Sequence, residues 1–328
     1  MKRIKVVMIG VGHDHATCAM DTMLALPEVF EVAGYTVVPE DWHDVQISGV
    51  HRFDTAEEAL SVHGLDAAVI ECDECALTKY ALMAAKRGIH VQMDKPGGTD
   101  RAEFAELIAT VKEKGIAFNT GYMYRYNPAV KEIKRLIKSG ELGDIYSVEA
   151  QMNVGYNEEK RRWIEKFGCG GMLYFLGCHL IDLIYSIQGE PEEIIPLTTG
   201  VYGDVNDYGM VVYKYINGVS FAKSTCCEQG GANRRQLVVC GTKGTCELKP
   251  IELPAENDLL TCELRTVIQK DNYSWWDKGV TRTYGPFHRY KDMLFDFAAM
   301  VRGEKQNEFS PDYELRLHDL VMRSFGSK

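Results

Sequence analysis

The stretch Val6-Val7-Met8-Ile9-Gly10-Val11-Gly12-His13-Asp14-His15 decides the fold. A short apolar run ending in two spaced glycines, then a helical pattern from about Ala16 to Leu26, reads as strand, tight turn and helix. That is the context of a dinucleotide-binding loop. The glycines permit the turn and bring the backbone close to a pyrophosphate, whose charge a helix N-terminus stabilises. His15 stands where a third glycine normally lets the helix pack close to the sheet, so the helix stands off or the loop is rebuilt. His13-Asp14-His15 also offers two metal-ligand types flanking a carboxylate. A cation there competes with a pyrophosphate, and no metal is assigned.

Outward from this loop, strand and helix patterns alternate. Val32 to Val38 reads as a second strand, and Thr55 with Glu58 forms a capping box before a helix from Ala56 to Val62. Ala67-Ala68-Val69-Ile70 is a buried run, Thr78 to Arg87 is helical, and Ile89 to Met93 is the next strand. Phe104, Leu107, Ile108 and Val111 then recur at helical spacing before Ile116 to Asn119. Such alternation predicts a doubly wound parallel sheet, a Rossmann domain over residues 1–121.

After Gly121 the pattern changes. Asn127-Pro128 is an N-cap with a first-turn proline, opening a helix whose apolar face is Val130, Ile133, Leu136 and Ile137. Strand-rich runs follow at Tyr146 to Met152, Met210 to Ile216, Val219 to Cys226, Leu237 to Cys240 and Thr245 to Leu248. They predict an α+β domain over 122–328 with a large open, mostly antiparallel sheet. One helix near Met172 to Ser186 interrupts it, and another, carrying Leu294, Phe297, Ala298 and Val301, closes the chain and is free to pack back on the first domain.

Composition narrows the function. The chain has 328 residues, enough for two domains, and a formal charge of -10, which argues against nucleic acid as a partner. No apolar run approaches the roughly 20 residues of a membrane helix, and the run Ile4 to Ile9 after the charged start is too short for a signal h-region. A soluble cytoplasmic protein with a small-molecule ligand is expected. Ten cysteines are scattered, with Cys226-Cys227 adjacent, and reduced thiols are expected. Cys72-Asp73-Glu74-Cys75 lacks the second pair that a zinc site needs.

Two clusters carry chemistry. Asp94-Lys95-Pro96 follows a strand, and the proline forces Lys95 into extended geometry, so its ammonium projects in a defined direction. His179 and Asp182 lie three apart on a helix that Gly170-Gly171 opens, and an imidazole oriented by a carboxylate is a sensible proton acceptor for an alcohol. Hydride transfer from a secondary alcohol needs a nicotinamide, a base, and a cation on the developing oxygen charge. Lys95 and His179 supply the last two. The second strand ends without an acid at the usual ribose-binding place, leaving Glu40 and Asp41 as nearest candidates. No lysine or arginine occurs from Ala33 to Val50, and the acids there repel an extra ribose phosphate, which leans toward NAD over NADP.

Taken together, the glycine loop, Asp94-Lys95-Pro96, Gly121 to Val130, Ser139-Gly140-Glu141-Leu142-Gly143 and Gly177 to Asp182 resemble the glucose-fructose oxidoreductase and inositol dehydrogenase (Gfo/Idh/MocA) family. The similarity spans nearly the whole chain. It implies a sugar, polyol or cyclitol substrate and a homodimer or homotetramer. It makes Lys95 and His179 the catalytic pair. Arg125, Trp163 and Asp182 become substrate-side residues. Gly10, Gly12, His13, Asp14, His15, Val37, Cys72, Asp73, Asp94, Lys95 and Pro96 become cofactor contacts. One departure stands out: the family usually has an aspartate four residues before this histidine, and here that position is Phe175. The same helix face then lacks a carboxylate beside Lys95 and His179, so either Asp182 partly substitutes or the reaction differs. The alternatives are a redox-neutral enzyme that retains NAD through transient oxidation, and a non-catalytic dinucleotide-binding sensor.

Overall fold

The computed structural model describes residues 2–166, 171–203, 206–256, 259–270 and 274–326. In chain order its elements begin with β1 (Ile4–Ile9), α1 (Ala16–Leu24), β2 (Phe30–Thr36), β3 (Arg52–Phe53), α2 (Ala56–Ala59), β4 (Ala67–Ile70), α3 (Leu77–Lys86), β5 (His90–Met93), α4 (Arg101–Lys114) and β6 (Phe118–Thr120). Then come α5 (Pro128–Lys138), β7 (Ile145–Asn153), α6 (Glu158–Lys166), α7 (Met172–Phe175), α8 (Gly177–Gln188), β8 (Glu193–Thr199), β9 (Tyr208–Tyr215) and β10 (Gly218–Thr225). The chain ends with β11 (Gln236–Gly241), β12 (Gly244–Leu248), β13 (Leu253–Pro254), β14 (Leu260–Ile268), β15 (Val280–Phe287), α9 (Lys291–Val301) and α10 (Pro311–Ser324).

Packing divides these elements into two units. The first comprises Met1–Tyr122 with Tyr290–Asp319, and the second Met123–Arg289 with Leu320–Lys328.

The first unit carries a six-stranded sheet in the order β3-β2-β1-β4-β5-β6, and every pair in it is parallel. The strand order reverses between β1 and β4, the position at which open α/β sheets bind ligands outside the strands' carboxyl ends. Both faces of the sheet are covered, so its strands read as continuous apolar runs: β4 is Ala67-Ala68-Val69-Ile70, buried throughout. α4 shows why its sequence starts and stops a helix. The Asp100 carboxylate accepts the N–H groups of Ala102 at 2.8 Å and Glu103 at 3.0 Å, and Gly115 ends the helix in the left-handed region. The capping box at α2 closes one residue early. Thr55 accepts from the Glu58 N–H as expected, but the Glu58 carboxylate reaches the N–H of Asp54, and regular helix ends at Ala59.

The second unit is built on a nine-stranded sheet ordered β13-β14-β12-β11-β7-β10-β9-β8, with β15 paired to β14. All pairs are antiparallel except β10 with β7, so the expectation from consecutive strands holds for the sheet but not for that pair. Its register places Pro196, Val211, Ala222, Ala150, Leu237, Leu248 and Leu264 in one row across seven strands. Those side chains face the helices. The opposite face alternates with it and stays partly open: Ile195 is 40%, Leu197 52% and Val219 52% exposed.

Several elements differ from the sequence reading. β3, α6, α10, β8, β13, β14 and β15 were not anticipated. The helix expected at Met172 to Ser186 is two, α7 and α8, broken at Leu176. Gly170 of the expected glycine turn lies outside the described residues. Among the described residues no helix is long and apolar enough to cross a membrane, and every cysteine is a free thiol.

Candidate functional site

In the first unit the expected loop residues gather at the carboxyl ends of β1, β4 and β5. Gly10 has φ +80°, and a Cβ there would lie 2.3 Å from the Cβ of Cys72, so the chain leaving β4 crosses directly against this glycine. Only glycine fits both demands. The N–H groups of Val11 and Gly12, which a pyrophosphate would take, are held by an internal carboxylate. Asp41 accepts from Val11 at 2.9 Å, from Gly12 at 3.0 Å and from Val38 at 2.9 Å. Burial raises the Asp41 pKa despite these bonds. Asp41 was expected at the ribose, and it faces the glycine loop instead.

His15, in the place of the third glycine, marks a rebuilt loop. Its N–H donates to His13 Nδ1 at 3.1 Å, and its ring Nδ1 stands 2.9 Å from Asp94 Oδ2. His13 Nδ1 is 3.4 Å from the same Asp94 oxygen, and His13 Nε2 is 3.4 Å from Glu74 Oε1. Glu71 reaches within 4.0 Å of His13. Burial opposes ionisation of Asp94, yet His13 and His15 beside it hold its carboxyl well below the usual range. Burial pushes Glu71 well up, with the Asp94 charge adding to it, and raises Glu74 to about 7. Asp73 is buried beside Gly12, Val37 lies partly buried just past β2, and Asp14 is exposed.

Lys95 is only 1% exposed, among the largest fully buried side chains of the protein. Its N–H donates to Asp94 Oδ1 at 2.6 Å, its charge acts on Glu71, Glu74 and Asp94, and its bond to Pro96 is cis. The carboxylates around it therefore come from its own unit. Two residues outside the sequence reading hold the turn that follows: the Thr78 hydroxyl donates to the Gly97 carbonyl, and His318 Nε2 donates to the Gly98 carbonyl at 3.1 Å. The His318 ring stacks on Phe104, centroids 4.1 Å apart.

In the second unit, His179 is buried on α8 with the Tyr124 ring edge-on at 5.1 Å. Asp182 is clamped by Arg125, whose Nε lies 3.0 Å from Oδ1 and 3.1 Å from Oδ2, with a second nitrogen 2.7 Å from Oδ1. That buried fork joins α8 to the 3-10 turn Met123–Tyr126, and removing one partner of such a pair typically costs about 3–5 kcal/mol. The Asp182 carboxylate thus has a guanidinium to satisfy. Phe175 ends α7 and packs edge-on against Trp163 at 5.1 Å, with the Lys160 ammonium 3.6 Å from the Trp163 ring centre. The break at Leu176 removes the single helix face on which Phe175 and His179 were to stand.

The leaning toward NAD also loses its ground. Lys79 of α3 pairs with Glu40 at 2.7 Å, and Arg52 of β3 with Asp44 at 2.8 Å. Cations absent from the local sequence are brought in by the fold. Glu71 and Glu74 were missed as site residues, and a signal existed: Glu71 directly follows the buried run of β4, a position facing the crevice. The backbone of the loop fits a dinucleotide, whose pyrophosphate has to displace Asp41.

Residues 4–122 match the family profile described as "Oxidoreductase family, NAD-binding Rossmann fold", and 130–247 match the Gfo/Idh/MocA C-terminal domain. The bovine trans-1,2-dihydrobenzene-1,2-diol dehydrogenase is 28% identical over 171 residues, covering 51% of this chain and 50% of the relative. The NADP-dependent scyllo-inositol 2-dehydrogenase of Bacillus subtilis is 28% identical over 158 residues, 48% of this chain and 43% of that enzyme. The matches thus span about half the length of these relatives. Among solved structures, an oxidoreductase of Thermotoga maritima superposes with a TM-score of 0.78 at 19% identity, covering 99% of this chain and 97% of that one. The UDP-N-acetylglucosamine 3-dehydrogenase of Acidithiobacillus ferrooxidans gives 0.77 at 15% identity, over 100% and 96%. Two matched domains in the expected order, the first on the expected doubly wound parallel sheet, carry the conclusion that the chain belongs to the Gfo/Idh/MocA family of oxidoreductases.

Proposed function

We propose that this chain is an NAD(P)-dependent dehydrogenase acting on a secondary alcohol of a sugar, polyol or cyclitol. Lys95 carries the reading. A fully buried ammonium at the carboxyl end of a central parallel strand is costly to maintain, and a position serving packing alone takes an apolar side chain. In this reading Lys95 donates to the substrate oxygen and stabilises its developing negative charge, while His179 receives the hydroxyl proton. When bound, the nicotinamide accepts or supplies the hydride. The backbone at Gly10 to Gly12 holds its pyrophosphate, with Asp41 displaced. Two relatives named for cyclic diol and inositol substrates support the substrate class.

The partner we propose is a second copy of this chain, seated on the open sheet face at Ile195, Leu197 and Val219. Nicotinamide absorbance over a panel of cyclitols and sugars, with NAD and NADP in parallel, tests the activity. Lys95→Met should lower kcat/KM on the order of a hundredfold to a thousandfold, the size of losing one oxyanion donor. An active Lys95→Met protein would remove Lys95 from the chemistry. Asp41's hold on the loop amides favours a second reading, a sensor that binds no dinucleotide; absence of NAD and NADP binding by calorimetry would select it.

A further inference from the structure

We propose that His13, His15 and Asp94 form a binding site for a divalent transition-metal ion, with Glu74 orienting His13 and Glu71 in reach as a further ligand. The site does not depend on the dehydrogenase reading. Its donor set is two imidazole nitrogens and one carboxylate oxygen, all within 4.8 Å of one another. An ion about 2.0–2.1 Å from each donor separates them by about 3.0 Å in octahedral and about 3.4 Å in tetrahedral geometry. His15 Nδ1 and His13 Nδ1 stand 2.9 and 3.4 Å from Asp94 Oδ2, so these two separations already match an ion's donors.

The tautomer of His13 follows from its neighbours. Nδ1 accepts the His15 N–H at 3.1 Å, so it carries the lone pair, and the ring proton sits on Nε2, which faces Glu74 Oε1 at 3.4 Å. His13 thus turns its Nδ1 lone pair to the side of Asp94 and its Nε2 toward the Glu74 carboxylate, and an imidazole whose second nitrogen faces a carboxylate is a usual metal-ligand arrangement. On loading, the His13 Nδ1 lone pair passes from the His15 N–H to the ion, and His15, whose Nδ1 donates to Asp94 in the empty site, shifts its ring proton to Nε2 so that Nδ1 can ligate.

An independent observation points the same way. Glu74 is 2% exposed and neither of its carboxylate oxygens has a hydrogen-bond partner; Glu71, equally buried, leaves Oε2 without one. Carboxylates taken out of water without donors are costly, and nearby positive charge relieves that cost. Lys95 supplies one charge to three acids. The site is built on the ends of three sheet strands, and the His15 side chain, 13% exposed, opens it to solvent.

The test is cobalt titration of the full-length protein after stripping with chelator, read by visible d–d absorption and by metal content after desalting. One Co2+ per chain is expected. His15→Ala and Asp94→Asn should each weaken binding at least a hundredfold, and Glu74→Gln by about ten- to a hundredfold. A second cluster, Asp207 with Cys226 and Cys227, could bind cobalt through sulfur, so the Cys226→Ser/Cys227→Ser protein is titrated in parallel and should bind unchanged. Loss of binding in the cysteine variant, unchanged binding in folded His15→Ala, or no cobalt uptake would each overturn the proposal. Should Asp94→Asn fail to fold, the partly exposed His15 position decides alone.

Discussion

Asp41 concentrates the tension in this protein. Its carboxylate holds the glycine-loop amides that an anionic cofactor needs, so any dinucleotide has to compete with a ligand already attached to the chain. Breaking charge-assisted hydrogen bonds of this kind costs about 1.5–3 kcal/mol each before new ones form. Asp41→Ala should therefore tighten NAD or NADP binding roughly tenfold, about 1.4 kcal/mol, measured by calorimetry. Weaker binding would mean that Asp41 shapes the loop rather than blocks it. Little of this was legible beforehand. Glu40 and Asp41 stood out as acids after the second strand, but which way each turned depended on what packed against it: Lys79 and Tyr80 took Glu40, and the loop took Asp41.

Among the elements, α5 was read most fully in advance. Asn127 caps it by accepting from the N–H groups of Ala129 and Val130 at 2.9 and 3.3 Å, and Pro128 fills the first turn. The structure adds a second duty: Asn127 Nδ2 donates to the Ile251 carbonyl at 2.9 Å, in a buried setting. Asn127→Ala should thus cost about 2–3 kcal/mol, a cap plus an unsatisfied buried carbonyl. Asn127→Asp keeps the cap but sets a buried carboxylate oxygen against the Ile251 carbonyl, so its melting temperature should fall below that of wild type as well. The break between α7 and α8 was illegible by contrast. Met172 to Ser186 is apolar enough to read as one helix, and only packing decides where Leu176 departs from it.

At the scale of the whole chain, two predictions follow from tertiary placement. His318 belongs to α10, yet it is buried against Gly98 and Phe104 beside the Lys95 turn, and burial lowers its pKa to about 4. The unfolded chain takes up this proton near pH 6.5 and the folded one only near pH 4, so the contribution of His318 is present above pH 6.5 and is lost as pH falls toward 4. The loss is about 3 kcal/mol at its fullest. Thermal unfolding between pH 4 and 8 should show a shallower acid slope in His318→Gln than in wild type; equal slopes would remove His318 as the cause. The open sheet face of the second unit gives the other prediction. If a second copy covers it, Leu197→Arg should shift the mass measured by light scattering toward the monomer, and an unchanged mass would place the interface elsewhere.

Sequence alone determined the parallel sheet, its glycine loop, the family and the placing of Lys95 after β5, because these depend on local periodicity and on residues that restrict the backbone. It could not determine that the crevice carries Glu71, Glu74 and Asp94 around two histidines, that Asp41 enters the loop, or that Asp182 belongs to Arg125. Those outcomes depend on which charged groups, distant along the chain, are buried together. Burial sets the energy of each charge through its neighbours, and neighbours are a property of the tertiary structure. The opening stretch was read as a cofactor loop with a misplaced histidine; in the fold, that histidine is one wall of a buried, charged site.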